Sequence, residues 1–337
     1  MKTGRFCREK WPLLLSLALG LAVPAIFPGR YAMQVITMSC IFAIATLSLN
    51  LITGYTGQVS LAHAGFFAIG AYGVALLTKA GFPFWLALFL AALLTAAVSF
   101  LVGLPTLRTR GSYFAIASLC FGVIVSVVAG SWRSLTGGYT GITGIPLPGP
   151  IFLPFAGEIT FQSKIAQYYL VLAFLIFTYF IIYRIVNSPL GLSFMAARNN
   201  ETLAGSVGIS TFAAKLLSFV VASFFAGIAG GIYASLLRSI SPEVASYELT
   251  FSWLVSLLLG GLGTMAGPVI GSLAVSALME YLQSLVEYRP LIFGAVLVIA
   301  IIYFPRGIMG EAEKLRGRIA ERYLKRRRVR VESASKS

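Results

Sequence analysis

The stretch GYTGQVSLAHAG, Gly54 to Gly65, holds three glycines, a glutamine, hydroxyl side chains and the only histidine of the chain, inside a strongly apolar region. A helix that merely crossed lipid would have no use for it. Glycine costs about 1 kcal/mol relative to alanine inside a helix. Gly54 and Gly57, flanking Tyr55-Thr56, therefore predict a break or a turn. Backbone groups freed at membrane depth need partners, and Thr53, Thr56, Gln58 and Ser60 can supply them. Beyond the break, Ser60, His63, Phe67 and Gly70 fall on one helical face at three-to-four spacing. That mixed face has two readings. Small residues let helices approach while polar groups bond across the interface, or the break and the polar face line a solute path.

The surroundings set the class. The 337 residues are 58% hydrophobic and 11% charged, whereas a soluble protein carries about 25% charged residues. Runs of about 20 apolar residues with few charges read as membrane helices. Ten such segments are legible: Trp11–Phe27, Tyr31–Ile52, Val59–Thr78, Phe84–Leu104, Tyr113–Gly130, Tyr168–Val186, Lys215–Leu237, Phe251–Thr264, Val269–Leu285 and Leu291–Phe304. The expected fold is all-α, a polytopic transmembrane bundle. The eighth and ninth segments are short for a full crossing and meet at the glycine-rich Gly260–Pro268.

Orientation follows the Lys/Arg bias toward the cytoplasm. The net charge is +15, with most basic residues in the first ten positions and from Arg306 to Lys336. With both termini inside, Arg108, Arg110, Arg184, Arg198 and Lys215 also fall inside, and only Arg30, Lys79, Arg133, Lys164, Arg238 and Arg289 remain outside. The first segment also fits a secretory signal peptide, although its apolar run lacks a clean A-x-A site. Residues 1–310 read as one membrane domain and 311–337 as a basic cytoplasmic tail suited to anionic lipid. This charge pattern fits membrane orientation rather than nucleic-acid binding. Cys7, Cys40 and Cys120 lie far apart, so no metal site is suggested.

Two loops are informative. The outer one, Ser131 to Gln167, contains LTGGYTGITGIPLPGP and reads as a surface connector or an external docking surface. The inner one, residues 187–214, is too polar to span. Within it Asn200 is a good N-cap, Glu201 suits the helix N-terminus and Gly208 suits the C′ position. The implied two-turn helix is marginal alone, so it should be docked on this protein or gripped by a partner. Gly227, Gly231, Gly263 and Gly267, like Gly54 and Gly57, are candidates for close packing or hinges.

The blocks LNLITGYTGQVSLAHAGFFAIGAY, LTGGYTGITGIP, SPLGLSFMAARNNETLAGSVGISTFAAKLLSFVVASFFAGIAGGIYA, LLLGGLGTMAGPVIG and FPRGIMG together resemble the membrane subunit of branched-chain amino-acid ABC importers, in the longer of their two permease types. The resemblance runs in order from about Leu49 to Gly310. It implies alternating access, a second homologous permease, two cytoplasmic ATPase subunits and an extracytoplasmic solute-binding protein. It also places the protein in a bacterial or archaeal cytoplasmic membrane. Asn200, Glu201, Thr202, Leu203, Ala204, Gly205 and Gly208 would match the ATPase-coupling helix, with Leu203 in place of a small residue and Gly205 in place of a second acid. ATP and Mg would be bound by the partner ATPases, with no cofactor on this chain. Related permeases serve urea, short amides and other amino acids.

The residues agree with this reading. No G-x-x-x-x-G-K-[ST] phosphate loop is present. Asp is absent, and the spans hold few ionisable groups beyond His63 and Glu280, unlike a proton-coupled carrier. A zwitterion with an apolar side chain needs a neutral, mildly polar path, for which Asn50, Gln58, Ser60, His63 and Phe67 are the candidates. A stand-alone carrier or channel is the rival class, and a non-transporting scaffold is a third.

Overall fold

A computed structural model describes residues 29–109, 111–153, 157–282 and 307–310, together with Gly20, Val23, Pro24 and scattered positions between 291 and 298. Most of the first and tenth apolar segments and the basic tail lie outside the described residues.

The described chain is a helical bundle. Helix α1 (Arg30–Asn50) runs into a π-helical turn, Leu51–Tyr55. It is followed by α2 (His63–Lys79), α3 (Phe84–Thr106), α4 (Ser112–Ser131) and α5 (Lys164–Val186). The inner loop holds α6 (Pro189–Asn199) and α7 (Glu201–Ser206). Then come α8 (Thr211–Leu237), α9 (Tyr247–Gly260) and α10 (Gly267–Tyr281). Among the described residues, five helices are long and apolar enough to cross a membrane: α1 with its π turn, α3, α4, α5 and α8.

Helix α9 has 14 residues and α10 has 15. At 1.5 Å per residue they extend only about 21–22 Å, short of a hydrocarbon core of about 30 Å. The helix ends moved from their expected places for local reasons. Ser163 accepts from Ala166 N at 3.1 Å and starts α5 four residues before Tyr168. Ser210 accepts from Ala213 N and starts α8 before Lys215. Ser246 caps α9, which begins at Tyr247 rather than Phe251. These are serine N-caps, invisible to a reading based on hydropathy.

Three expectations need correction. Helix α2 begins at His63, not Val59, so Ser60 does not share its face with His63, Phe67 and Gly70. The inner loop contains two helices, because Ser188 caps α6 and Pro189 occupies its first turn, where the missing N–H costs nothing. The long outer loop is more than a connector. Its strand β1 (Ile142–Thr143) pairs antiparallel with β4 (Ser239–Ile240), and β2 (Ile151–Leu153) pairs with β3 (Gly157–Ile159). Ile145 N donates to Arg238 O at 3.1 Å and Ser235 Oγ to Pro146 O at 2.7 Å, which fastens the loop over the C-terminal end of α8.

Helix α2 is the most enclosed element, packed by α8, α3 and α4. Glycine makes this possible. A Cβ placed on Gly70 would lie 2.2 Å from Gly227 O, so the two backbones touch. By contrast α3, α4 and α5 carry exposed Phe89, Leu93, Leu101, Ile116, Ile124, Phe177 and Phe180. In a membrane such surfaces face lipid or another membrane protein.

Candidate functional site

The π turn opens the site. Gln58 N donates to Ile52 O at 3.1 Å, Thr56 Oγ1 to the same carbonyl at 2.5 Å and Thr53 Oγ1 to Gln58 O at 3.2 Å. Hydroxyls and amide thus satisfy the broken backbone, as burial demands. Gly57, at φ +72°, takes a left-handed conformation that turns the chain back. The following non-helical segment is held from two sides. Leu61 N donates to Ser118 Oγ of α4 and Ala64 N to Thr250 Oγ1 of α9, both at 2.9 Å.

His63 then enters a closed centre and is 1% exposed. Its Nε2 lies 2.8 Å from Ser48 Oγ and 3.1 Å from Ala45 O. A carbonyl only accepts, so Nε2 carries the proton and donates. Around it, four helices contribute rings. Trp253 meets His63 edge-on at 5.9 Å between centroids and Phe67 at 5.2 Å, with Phe42 at 6.1 Å. Tyr233 meets Phe67 at 5.3 Å. Trp253 Nε1 in this centre and Ser60 Oγ in the segment before α2 make no hydrogen bond among the described residues. Such groups are costly to leave unpaired.

The expected path residues therefore divide. His63 and Phe67 come together in the aromatic centre. Gln58 closes the π turn, and Ser60 lies buried between the turn and α2. Asn50 sits elsewhere, at the turn between α9 and α10. Its Nδ2 donates to Thr264 O at 2.7 Å, and its Oδ1 accepts from Gly263 N at 2.9 Å. The glycines around it are forced by space. A Cβ on Gly54 would lie 1.9 Å from Asn50 Oδ1, and one on Gly260 would lie 1.9 Å from Gly267 O. On the outer half of α8, a Cβ on Gly231 would lie 2.6 Å from Val74 Cγ2.

The second locus is α7. Asn200 Oδ1 accepts from Leu203 N at 3.0 Å, and Gly208 at φ +85° ends the helix. Ala204 alone of its residues is buried. Leu203 and Val207 stand 66% and 71% exposed, and Thr202 and Gly205 also face outward. Glu201 pairs with Lys215 of α8, a lysine only 3% exposed. The structure adds Trp253 and Arg198 to the site. In the sequence Trp253 reads as an ordinary apolar position. Arg198 reads as one more orientation charge.

The described residues thus combine a broken helix, a buried polar centre and a short exposed helix. A family model for the permease component of branched-chain amino acid transport systems matches residues 31–301. The chain belongs to that permease family. The permease is 33% identical over 324 residues to the high-affinity branched-chain amino acid transport system permease protein LivM of Salmonella typhimurium, covering 91% of this chain and 76% of the relative. It is 32% identical to LivM of Escherichia coli over the same shares. The corresponding LivH of Salmonella typhimurium is 24% identical over 295 residues, covering 82% of the permease and 94% of LivH. The permease is a multi-pass membrane protein and a transport subunit.

Proposed function

We propose that this permease is one of two homologous membrane subunits of an ATP-binding-cassette importer in a bacterial or archaeal cytoplasmic membrane. Its solute is a branched-chain or related apolar amino acid. Two cytoplasmic ATPases hold the ATP and Mg, and a solute-binding protein delivers the solute from outside. The similarity to both LivM and LivH supports a second permease as partner. Ten crossings with both termini inside complete the topology.

The observation that carries the mechanism is the geometry of α7. It shows Leu203 and Val207 outward while Glu201 and Ala204 hold it to the body. Leu203 and Val207, exposed apolar side chains four residues apart on one short element, offer a partner protein an apolar contact. The partner ATPases grip this helix, and its displacement rocks the spans around the His63 centre. There the aromatic rings separate to pass the apolar side chain, and the unpaired Trp253 N–H and Ser60 hydroxyl supply hydrogen bonds to the solute. A neutral centre suits a zwitterion, because fixed charge in lipid is expensive.

The test is reconstitution. The two permeases, both ATPases and the binding protein, together in proteoliposomes, should accumulate labelled leucine only with ATP. Accumulation of leucine by this chain alone would overturn the reading.

A further inference from the structure

The end of α1 and its π turn, like any helix end, leaves its last carbonyls without helical partners, and Gly54 O is among them. In a continuous helix Gln58 N would donate to Gly54 O. Here Gln58 N donates to Ile52 O instead, and Gly54 O is freed. Arg198 takes it: its Nη1 donates to that carbonyl from 144 residues away. The approach is close on every side. A Cβ on Gly57 would lie 2.9 Å from Arg198 Cγ, and one on Gly263 would lie 2.9 Å from Arg198 Nη1. The guanidinium thus rests between the π turn of α1 and the α9–α10 turn. Asn50 bolts the same two turns together through Gly263 N and Thr264 O. Gly307 joins them, since its Cβ would lie 2.3 Å from Gly261 Cα.

Arg198 stands at the end of α6, and one extended residue, Asn200, separates α6 from α7. Asn200 N donates to Ala196 O at 3.1 Å and Ala204 N to Asn200 O at 3.0 Å, so the corner is bonded into both helices. A short rigid corner moves as a lever.

We propose that Arg198 is the positioning residue that carries the displacement of α6 and α7 to the two broken turns, and through them to the path. It does so by its charged hydrogen bond to Gly54 O and its contact with Gly263. Glu201 with Lys215 is a separate link, which leads to α8. An arginine suits the task because its planar fork holds a fixed orientation and its charge strengthens a bond to a carbonyl. The inference rests on the reading of α7 as the ATPase-gripped helix.

The experiment uses the complete five-component complex in proteoliposomes and reads leucine accumulated per ATP hydrolysed, normalised to assembled complex. In Arg198→Ala and Arg198→Gln this ratio should fall at least about fivefold, the lower end of ordinary coupling energies. Arg198→Lys should recover part of it, since an ammonium still donates. A loss of stability alone would reduce the amount of complex and leave the ratio per complex unchanged. A wild-type ratio in either the Ala or the Gln variant overturns the proposal. Failure of both to assemble also overturns it, since Arg198 would then be a folding residue. Leu203→Asp separates the two readings. Loss of ATPase binding in Leu203→Asp upholds the docking of α7 independently of Arg198, and an unaltered complex in Leu203→Asp removes that reading.

Discussion

Gly230 of α8 lies against the main chain of Phe67 in α2, so close that a Cβ on Gly230 would stand 1.9 Å from Phe67 O. Nothing flexible can yield there, because the obstacle is backbone.

Gly230→Ala should therefore force α2 and α8 apart. Overpacking of this kind costs typically about 1–3 kcal/mol, occasionally more. The thermal midpoint of the purified permease should drop, and uptake should fall with it, since Phe67 belongs to the aromatic centre. Gly149→Ala meets nothing within 4 Å and is the matched control. Equal midpoints for the two variants would contradict the packing argument.

Glu201 and Lys215 give a second prediction. Removing the carboxylate leaves a buried ammonium uncompensated, a loss of up to about 3 kcal/mol given that Glu201 is partly solvated. Glu201→Lys should abolish ATP-driven uptake while leaving the chain in the membrane. The exchange Glu201→Lys with Lys215→Glu should restore some of it. No recovery in the double variant would mean that Glu201 acts through a partner protein rather than through Lys215.

Trp253→Phe should divide stability from transport. The ring contacts with His63 and Phe67 survive, and an unsatisfied buried N–H disappears, so the thermal midpoint should hold or rise. Uptake at fixed ATP hydrolysis should fall about tenfold, corresponding to one hydrogen bond to the solute of roughly 1.4 kcal/mol. His63→Trp and Ser60→Trp should block uptake without preventing assembly. Normal transport in all three would assign the centre to packing alone.

Orientation can be read by labelling in intact cells. In a background with its cysteines replaced, Tyr139→Cys at the outer loop should react with a membrane-impermeant thiol reagent. Gly205→Cys on α7 should react only after permeabilisation. Tyr139 is 84% exposed and Gly205 is exposed, so in cells lacking the partner ATPases the membrane is the barrier to the reagent. The reverse pattern would invert the topology.

Much of this architecture was legible in local sequence. Gly54 and Gly57 announced the break because glycine loosens any helix. Asn200 and Gly208 bounded α7 because capping depends on neighbours in the chain. The Lys/Arg distribution is consistent with the contacts found: Arg198 meets Gly54 and Gly263, all assigned to the inner side, and β1 meets β4, both assigned to the outer side. Ser188-Pro189 is equally local, a cap followed by a first-turn proline, in a loop whose polarity hides the helix.

What composition and spacing determined by themselves is the membrane class, the place where α1 breaks and the ends of the short inner helix. Those depend on hydropathy and on bonds to residues a few positions away. Only the tertiary structure decided what the polar side chains do. Asn50 reads as a path residue until Thr264, 214 positions on, is found accepting its amide. Arg198 reads as a surface charge until Gly54 O is found in need of a donor. Trp253 reads as an ordinary apolar position until its ring closes on His63. Each pairing joins turns or helices far apart in the chain, and the choice among many possible polar partners is made by which backbones the glycines allow to touch.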